Sequence, residues 1–171
     1  LYSLLTASDF YATNEFMTKI EINEFGILSN TEKEKLKEGF KTVKPFNKDL
    51  YAKLEHYNSF PFEKLTDRNN KNLNILRQKL TAEMISNLRK HSASRCFYLE
   101  APTGAGKTNL SLAFATELMN VDPSLNKVFY VFPFTTLITQ TFESIKNTLS
   151  IDNNYVIQLH SKAGFHEKED G

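Results

Sequence analysis

Cys96-Phe97-Tyr98-Leu99-Glu100-Ala101-Pro102-Thr103-Gly104-Ala105-Gly106-Lys107-Thr108 is the stretch on which the fold turns. An apolar run, a glycine-bearing turn and a Lys-Thr pair follow one another without a gap. The run reads as a buried strand, and the residues from Lys107 onward read as a helix. Between them Thr103, Gly104, Ala105 and Gly106 can curl the backbone until consecutive N–H groups face one anion, because glycine enters left-handed conformations at no steric cost. The first turn of the following helix adds unpaired N–H groups and the positive end of its dipole. Lys107 is then placed to reach the β- and γ-phosphates of a nucleoside triphosphate, and the Thr108 hydroxyl to ligate Mg2+.

Working outward, the same alternation repeats. Upstream, Leu73, Leu76, Leu80, Met84 and Leu88 recur at helical spacing and predict a helix over 72–90 with one buried stripe. Downstream, Leu110, Ala113, Phe114 and Leu118 predict the inward face of the helix behind Lys107. Val128-Phe129-Tyr130-Val131-Phe132 reads as a second strand, and Leu137, Ile138, Phe142, Ile145 and Leu149 stripe the helix after it. Tyr155-Val156-Ile157-Gln158-Leu159 reads as a third strand. Strands alternating with helices of this length predict an α/β fold, a partial phosphate-loop NTPase with a parallel sheet whose ligands gather at the carboxyl ends of its strands.

A mainly helical segment precedes that sheet. Residues 1–18 predict a helix with Leu4, Leu5, Ala12 and Phe16 on or near an apolar face. Ser29-x-x-Glu32 is a capping-box signature opening a charged helix, in which Glu32/Lys35 and Glu34/Lys37 lie one turn apart and which Gly39 is expected to end. Residues 40–70, with Pro45 and Pro61, read as a linker carrying short helical pieces.

Composition narrows the partners. The net charge of +1 provides no global basic field, so any nucleic-acid site must be local. With Cys96 as its single cysteine the chain has no internal disulfide, which fits a reducing compartment. His160 and His166 lack partners at zinc spacing. No apolar run approaches transmembrane length, and the expectation is a soluble, cytoplasmic protein without a membrane partner. The chain opens inside an apolar stretch and closes on Glu169-Asp170-Gly171, which reads as an excerpt of a longer polypeptide.

Three further groups stand in register with the loop. Past the second strand, Pro133-Phe134-Thr135-Thr136-Leu137 puts two hydroxyls at a helix N-terminus, with Gln140 one turn on. Thr135 and Thr136 can donate to a nucleic-acid phosphate there, although Thr135 would serve equally as a helix cap. At the end of the third strand, His160 and Ser161 occupy the same edge, as nucleic-acid contacts or as packed residues. Upstream, the Gln78 amide can donate to and accept from an adenine edge, or be an ordinary polar helix residue. Asn126-Lys127 does not continue into a guanine-reading Asn-Lys-x-Asp.

Together Gln78, 101–108, 133–140 and 160–164 resemble the Q motif, Walker A, Ia and Ib motifs of the first RecA-like lobe of a superfamily 2 helicase. Walker A with Ala101 in place of glycine is a form used by nucleic-acid motors. Tyr98-Leu99-Glu100-Ala101-Pro102-Thr103-Gly104, Phe132-Pro133-Phe134-Thr135-Thr136-Leu137 with Gln140, and Leu159-His160-Ser161 resemble the CRISPR-associated helicase–nuclease of type I systems. That family carries an HD-type nuclease ahead of its helicase, with an aspartate ligand in a helix like Ala7-Ser8-Asp9-Phe10-Tyr11. The resemblance implies a remnant of the nuclease domain at 1–20, a helical linker at 21–71, and the start of helicase lobe 1 at 72–171. It also implies ATP and Mg2+, a divalent transition metal in the nuclease with Asp9 as one ligand, single-stranded DNA, and recruitment by a guide-RNA surveillance complex. The other His and His-Asp ligands of such a nuclease are not in this chain, and neither is an Asp-Glu-x-His/Asp motif after the third strand. The chain alone is therefore not expected to hydrolyse ATP. Another superfamily 2 motor, on DNA or RNA, and a non-catalytic nucleotide-binding module remain open readings. The oligomeric state is not legible.

Overall fold

The structure, a computed structural model, describes residues 2–19, 27–65, 69–151 and 156. Among them the chain forms α1 (Tyr2–Thr18), α2 (Asn30–Thr42), α3 (Pro45–Ala52), α4 (Leu54–Ser59), a 3-10 turn (Phe62–Lys64), α5 (Asn70–Lys90), α6 (Lys107–Val121) and α7 (Thr135–Leu149). The helices begin where local chemistry says they should. Ser29 and Glu32 close a reciprocal capping box, Ser29 N–H donating to the Glu32 carboxylate at 2.7 Å and Glu32 N–H to Ser29 Oγ at 3.3 Å. Pro45 sits at the start of α3, where its missing N–H costs nothing. Asn69 Oδ1 accepts from Asn72 N–H at 2.8 Å and caps α5.

The expected parallel sheet is not formed: no strand occurs among the described residues. Residues 96–100 and 128–132 run instead as irregular backbone, with Tyr98 88% and Val131 90% exposed. The physical reason is where the core closes. Local β preference selects a strand only when a neighbour accepts its hydrogen bonds and something covers its face. Here helices bury helices. Phe40, Leu50, Ala82, Ile85, Leu110, Ala113 and Leu149 form one core, and the two apolar runs lie along its flank, touching it through Phe97, whose ring meets Phe114 edge-on, and through Tyr130. Of the third expected strand only Val156 is described; it is not in a strand and packs against that core.

α5 is the centre, packed on α4 along one side and α6 along the other, while α2 touches α3, α6 and α7. Two-sided packing explains why its buried set is broader than the expected stripe. Met84 and Leu88 are buried, as spaced, but so are Ala82, Ile85, Gln78 and Lys79, while Leu73, Leu76 and Leu80 are only half-buried. Lys79 is not left alone there: Glu83 lies 2.8 Å from its Nζ and the Asn58 carbonyl accepts from it at 3.2 Å. Glu117 of α6 is buried and receives Arg89 of α5 at 2.6 Å, which ties the two helices across their contact.

Gly39 does not end α2, which runs on to Thr42. Its role is a close approach: a Cβ there would collide with the Leu149 carbonyl at the end of α7. The short helices of 40–65 supply core residues, with Leu50 and Asn47 fully buried. α1 forms as spaced, yet Leu5, Ala12 and Phe16 of its expected apolar face are exposed. No helix among the described residues is long and apolar enough to cross a membrane.

Candidate nucleotide site

The turn between residue 101 and α6 takes the shape that its glycines permit. Gly104 has φ +83° and Gly106 φ +75°, both in the left-handed region where a side chain would be strained. Ala105 N–H donates to the Pro102 carbonyl at 3.1 Å and closes the turn. Ala101 and Ala105 are buried, so the loop's two flanks are anchored in the core while Pro102, Thr103 and Gly104 face outward. α6 starts at Lys107, with Leu110 N–H donating to the Gly106 carbonyl at 3.0 Å. The first N–H groups of such a helix have no partner within it, and no side chain caps this one. Lys107 and Thr108 are exposed at the first turn.

α5 passes beside the loop. Arg77 Nε donates to the Gly104 carbonyl at 2.9 Å, and its Nη1 donates to Asn74 Oδ1 at 3.0 Å. A cavity of about 210 Å³ opens here, lined by Phe46, Arg77, Thr81, Ala105, Gly106 and Asn109. Its walls come from three places far apart in sequence: the start of α3, the middle of α5, and the loop with the first turn of α6. Asn109 Nδ2 donates to Asn47 Oδ1 at 2.9 Å and locks the first turn of α6 to α3.

Gln78 is placed differently from its neighbour. One residue further along the helix it turns into the core, only 4% exposed, and its Nε2 donates to the Phe46 carbonyl at 2.8 Å. It is not among the lining residues; it supports the wall through Phe46. Its Oε1 and the Nδ2 of Asn47 are buried without a hydrogen-bond partner. Sequence reasoning missed Phe46, Asn47 and Asn109, because nothing local marks residues whose partners lie in a distant helix.

Of the remaining candidates, Thr136 and Asp9 do not line this cavity. Thr136 is exposed at the start of α7, and Thr135 occupies the first helical position behind an N-cap at Phe134. His160 and Ser161 lie outside the described residues. Asp9 is exposed on α1, and no group of three or more metal-ligating side chains occurs among the described residues. Tyr130 packs against the core, and burial pushes its phenol up from its ordinary value.

Comparison with known proteins adds one finding. Residues 70–170, more than half of the chain, match the family described as type III restriction enzyme, res subunit. No curated protein and no solved structure gave a match.

Proposed function

The chain belongs to the type III restriction enzyme res subunit family, a superfamily 2 helicase-type domain of ATP-dependent enzymes, and from that premise we propose that its glycine turn binds the phosphates of ATP. The observation that carries the reading is the pair of left-handed glycines delivering the backbone into α6 at Lys107, inside the matched segment. In this reading Lys107 neutralises the β- and γ-phosphates, Thr108 offers its hydroxyl to Mg2+, and Thr103, Gly104, Ala105 and Gly106 provide the backbone cradle. The residues suit such a group: an exposed cation, a hydroxyl and uncapped N–H groups converge on one turn. Bound Mg2+ would offset phosphate charge. Gln78 would act on the base through the wall that it supports, and Thr135, Thr136, His160 and Ser161 would contact single-stranded DNA.

At the finer level we propose that the segment comes from an ATP-dependent DNA helicase coupled to an HD nuclease in type I CRISPR interference, recruited by a guide-RNA surveillance complex. Supporting it are the wordings around 98–104 and 132–140, and the Asp9 helix that precedes them. Residues 1–20 would then close the nuclease domain, with Asp9 one ligand of a divalent transition metal, and residues 72–171 would open the helicase lobe. A second reading, a superfamily 2 DNA motor without that nuclease, draws on the res subunit match itself.

One paired experiment separates these. In the intact protein Lys107→Ala is expected to abolish ATP turnover while single-stranded DNA binding persists; unchanged turnover would remove the phosphate assignment. Asp9→Ala is expected to remove metal-dependent DNA cleavage and spare ATP turnover. An intact protein that turns over ATP but cuts no DNA would favour the second reading.

A further inference from the structure

The geometry points to Arg77 as a positioning residue that presets the phosphate loop for its anion, an inference that rests on the ATP-binding reading and deepens it. The guanidinium lies along the loop. Its Nε bonds the Gly104 carbonyl at 2.9 Å, and a Cβ built at Gly106 would stand 3.7 Å from Arg77 Cδ. The arginine is itself held, since Asn74, one turn back on α5, accepts from Nη1 at 3.0 Å.

The consequence follows from peptide planarity. The bond between Gly104 and Ala105 is flat, so fixing its carbonyl direction fixes its N–H as well. That peptide is pinned at both ends, by Arg77 at the carbonyl and by the Pro102 carbonyl at the N–H. Only after this pinned unit does the chain pass through Gly106, at φ +75°, into α6. The N–H groups of Gly106, Lys107 and Thr108 come next, and their direction is set by the plane before them. A loop carrying two glycines would otherwise sample many shapes, and ordering it would cost conformational entropy at the moment of binding. Arg77 has already ordered it.

Arginine suits this work better than lysine. Its planar fork donates in two fixed directions at once, here to a backbone carbonyl and an amide oxygen. Lysine has the charge without the fork. Positioning and simple charge attraction therefore predict different results for the conservative change.

The test is titration of the full chain with Mg2+-ATP and, separately, with inorganic tripolyphosphate, which has the phosphates but no base or sugar. Arg77→Gln is expected to weaken both roughly tenfold, the scale of one lost hydrogen bond to a charged group. Arg77→Lys is expected to leave most of that loss in place. Full recovery with lysine would mean that charge alone acts and would overturn the inference, as would unchanged binding in Arg77→Gln. A loss for ATP with none for tripolyphosphate would also overturn it, since Arg77 would then read the nucleoside. If the unsubstituted chain binds neither ligand, the ATP reading itself fails and takes the inference with it. Circular dichroism checks that the variants keep their helices, and if the glutamine variant does not fold, the lysine variant alone decides.

Discussion

Two connectors lead into helices in this molecule, and they behave differently. Residues 96–106 enter α6 and residues 128–134 enter α7; each starts with an apolar run that reads as a buried strand. The first is anchored by buried Ala101 and Ala105, a closed turn and the Arg77 bond to Gly104. The second runs mostly along the surface: Phe129 is 76% exposed and Phe134 is exposed, while Tyr130, stacked on Phe132 at 6.2 Å, packs against the core. Apolar content is high in both. What shapes the first is geometry that its residues enforce, two glycines able to turn and a polar side chain that reaches a carbonyl.

The largest effect that could break this comparison is a pair of core and connector truncations. Ile85 is fully buried between the packed helices, and Ile85→Ala is expected to cost about 2–5 kcal/mol through lost burial and a residual cavity. Val131→Ala removes a side chain that touches little and is expected to stay within about 0.5 kcal/mol. Urea unfolding of both variants measures the difference. Equal costs would show that Val131 is packed as tightly as the core.

The contrast also explains which expectations the sequence carried. Two helix starts were legible, because Ser29-x-x-Glu32 and the Gly106-Lys107 step act within a few residues of themselves, whereas the Asn69 cap was not read and α5 starts at Asn70, ahead of the expected 72. The glycine turn was legible for the same reason. Strands were not, because a strand is settled by a neighbour, and an apolar run at 128–132 says nothing about whether one is present. The cavity wall fell between these cases. Arg77 and Gln78 are adjacent, yet helical rotation sends one to the loop and the other into the core, and their partners at 104 and 46 lie far off in sequence.

A smaller effect sharpens the account of the first connector. Gly104 has open space around it, so an added methyl group would meet no atom. Any cost of Gly104→Ala is then the cost of holding alanine at φ +83°, about 1–2 kcal/mol. The alternative to that cost is a relaxed loop that keeps stability and gives up its left-handed turn. Thermal unfolding read together with Mg2+-ATP affinity distinguishes them. Loss of stability with affinity kept means that the tether dominates; affinity lost with stability kept means that the glycine does. No change in either would show that the turn geometry is incidental.

The smallest effect concerns how the helices behind connectors begin. α2 opens on a capping box, whereas α7 opens at Phe134 with no side-chain bond to its first turn. Ser29→Ala is expected to cost about 1 kcal/mol. The hydrogen bonds from Ser29 hold the Glu32 carboxyl below its usual range, so the box's contribution is present at neutral pH and fades as pH falls through that lowered value. Phe134 already has the extended backbone that a cap requires, with φ −130° and ψ 136°. Phe134→Asp therefore adds an acceptor and a negative charge at a helix N-terminus without moving the chain, and is expected to raise stability by about 0.5–1 kcal/mol. The two changes should shift the urea midpoint in opposite directions. Destabilisation by Phe134→Asp would mean that the exposed aromatic is held by contacts of its own, and the second connector would then be ordered by packing as the first is by its tether.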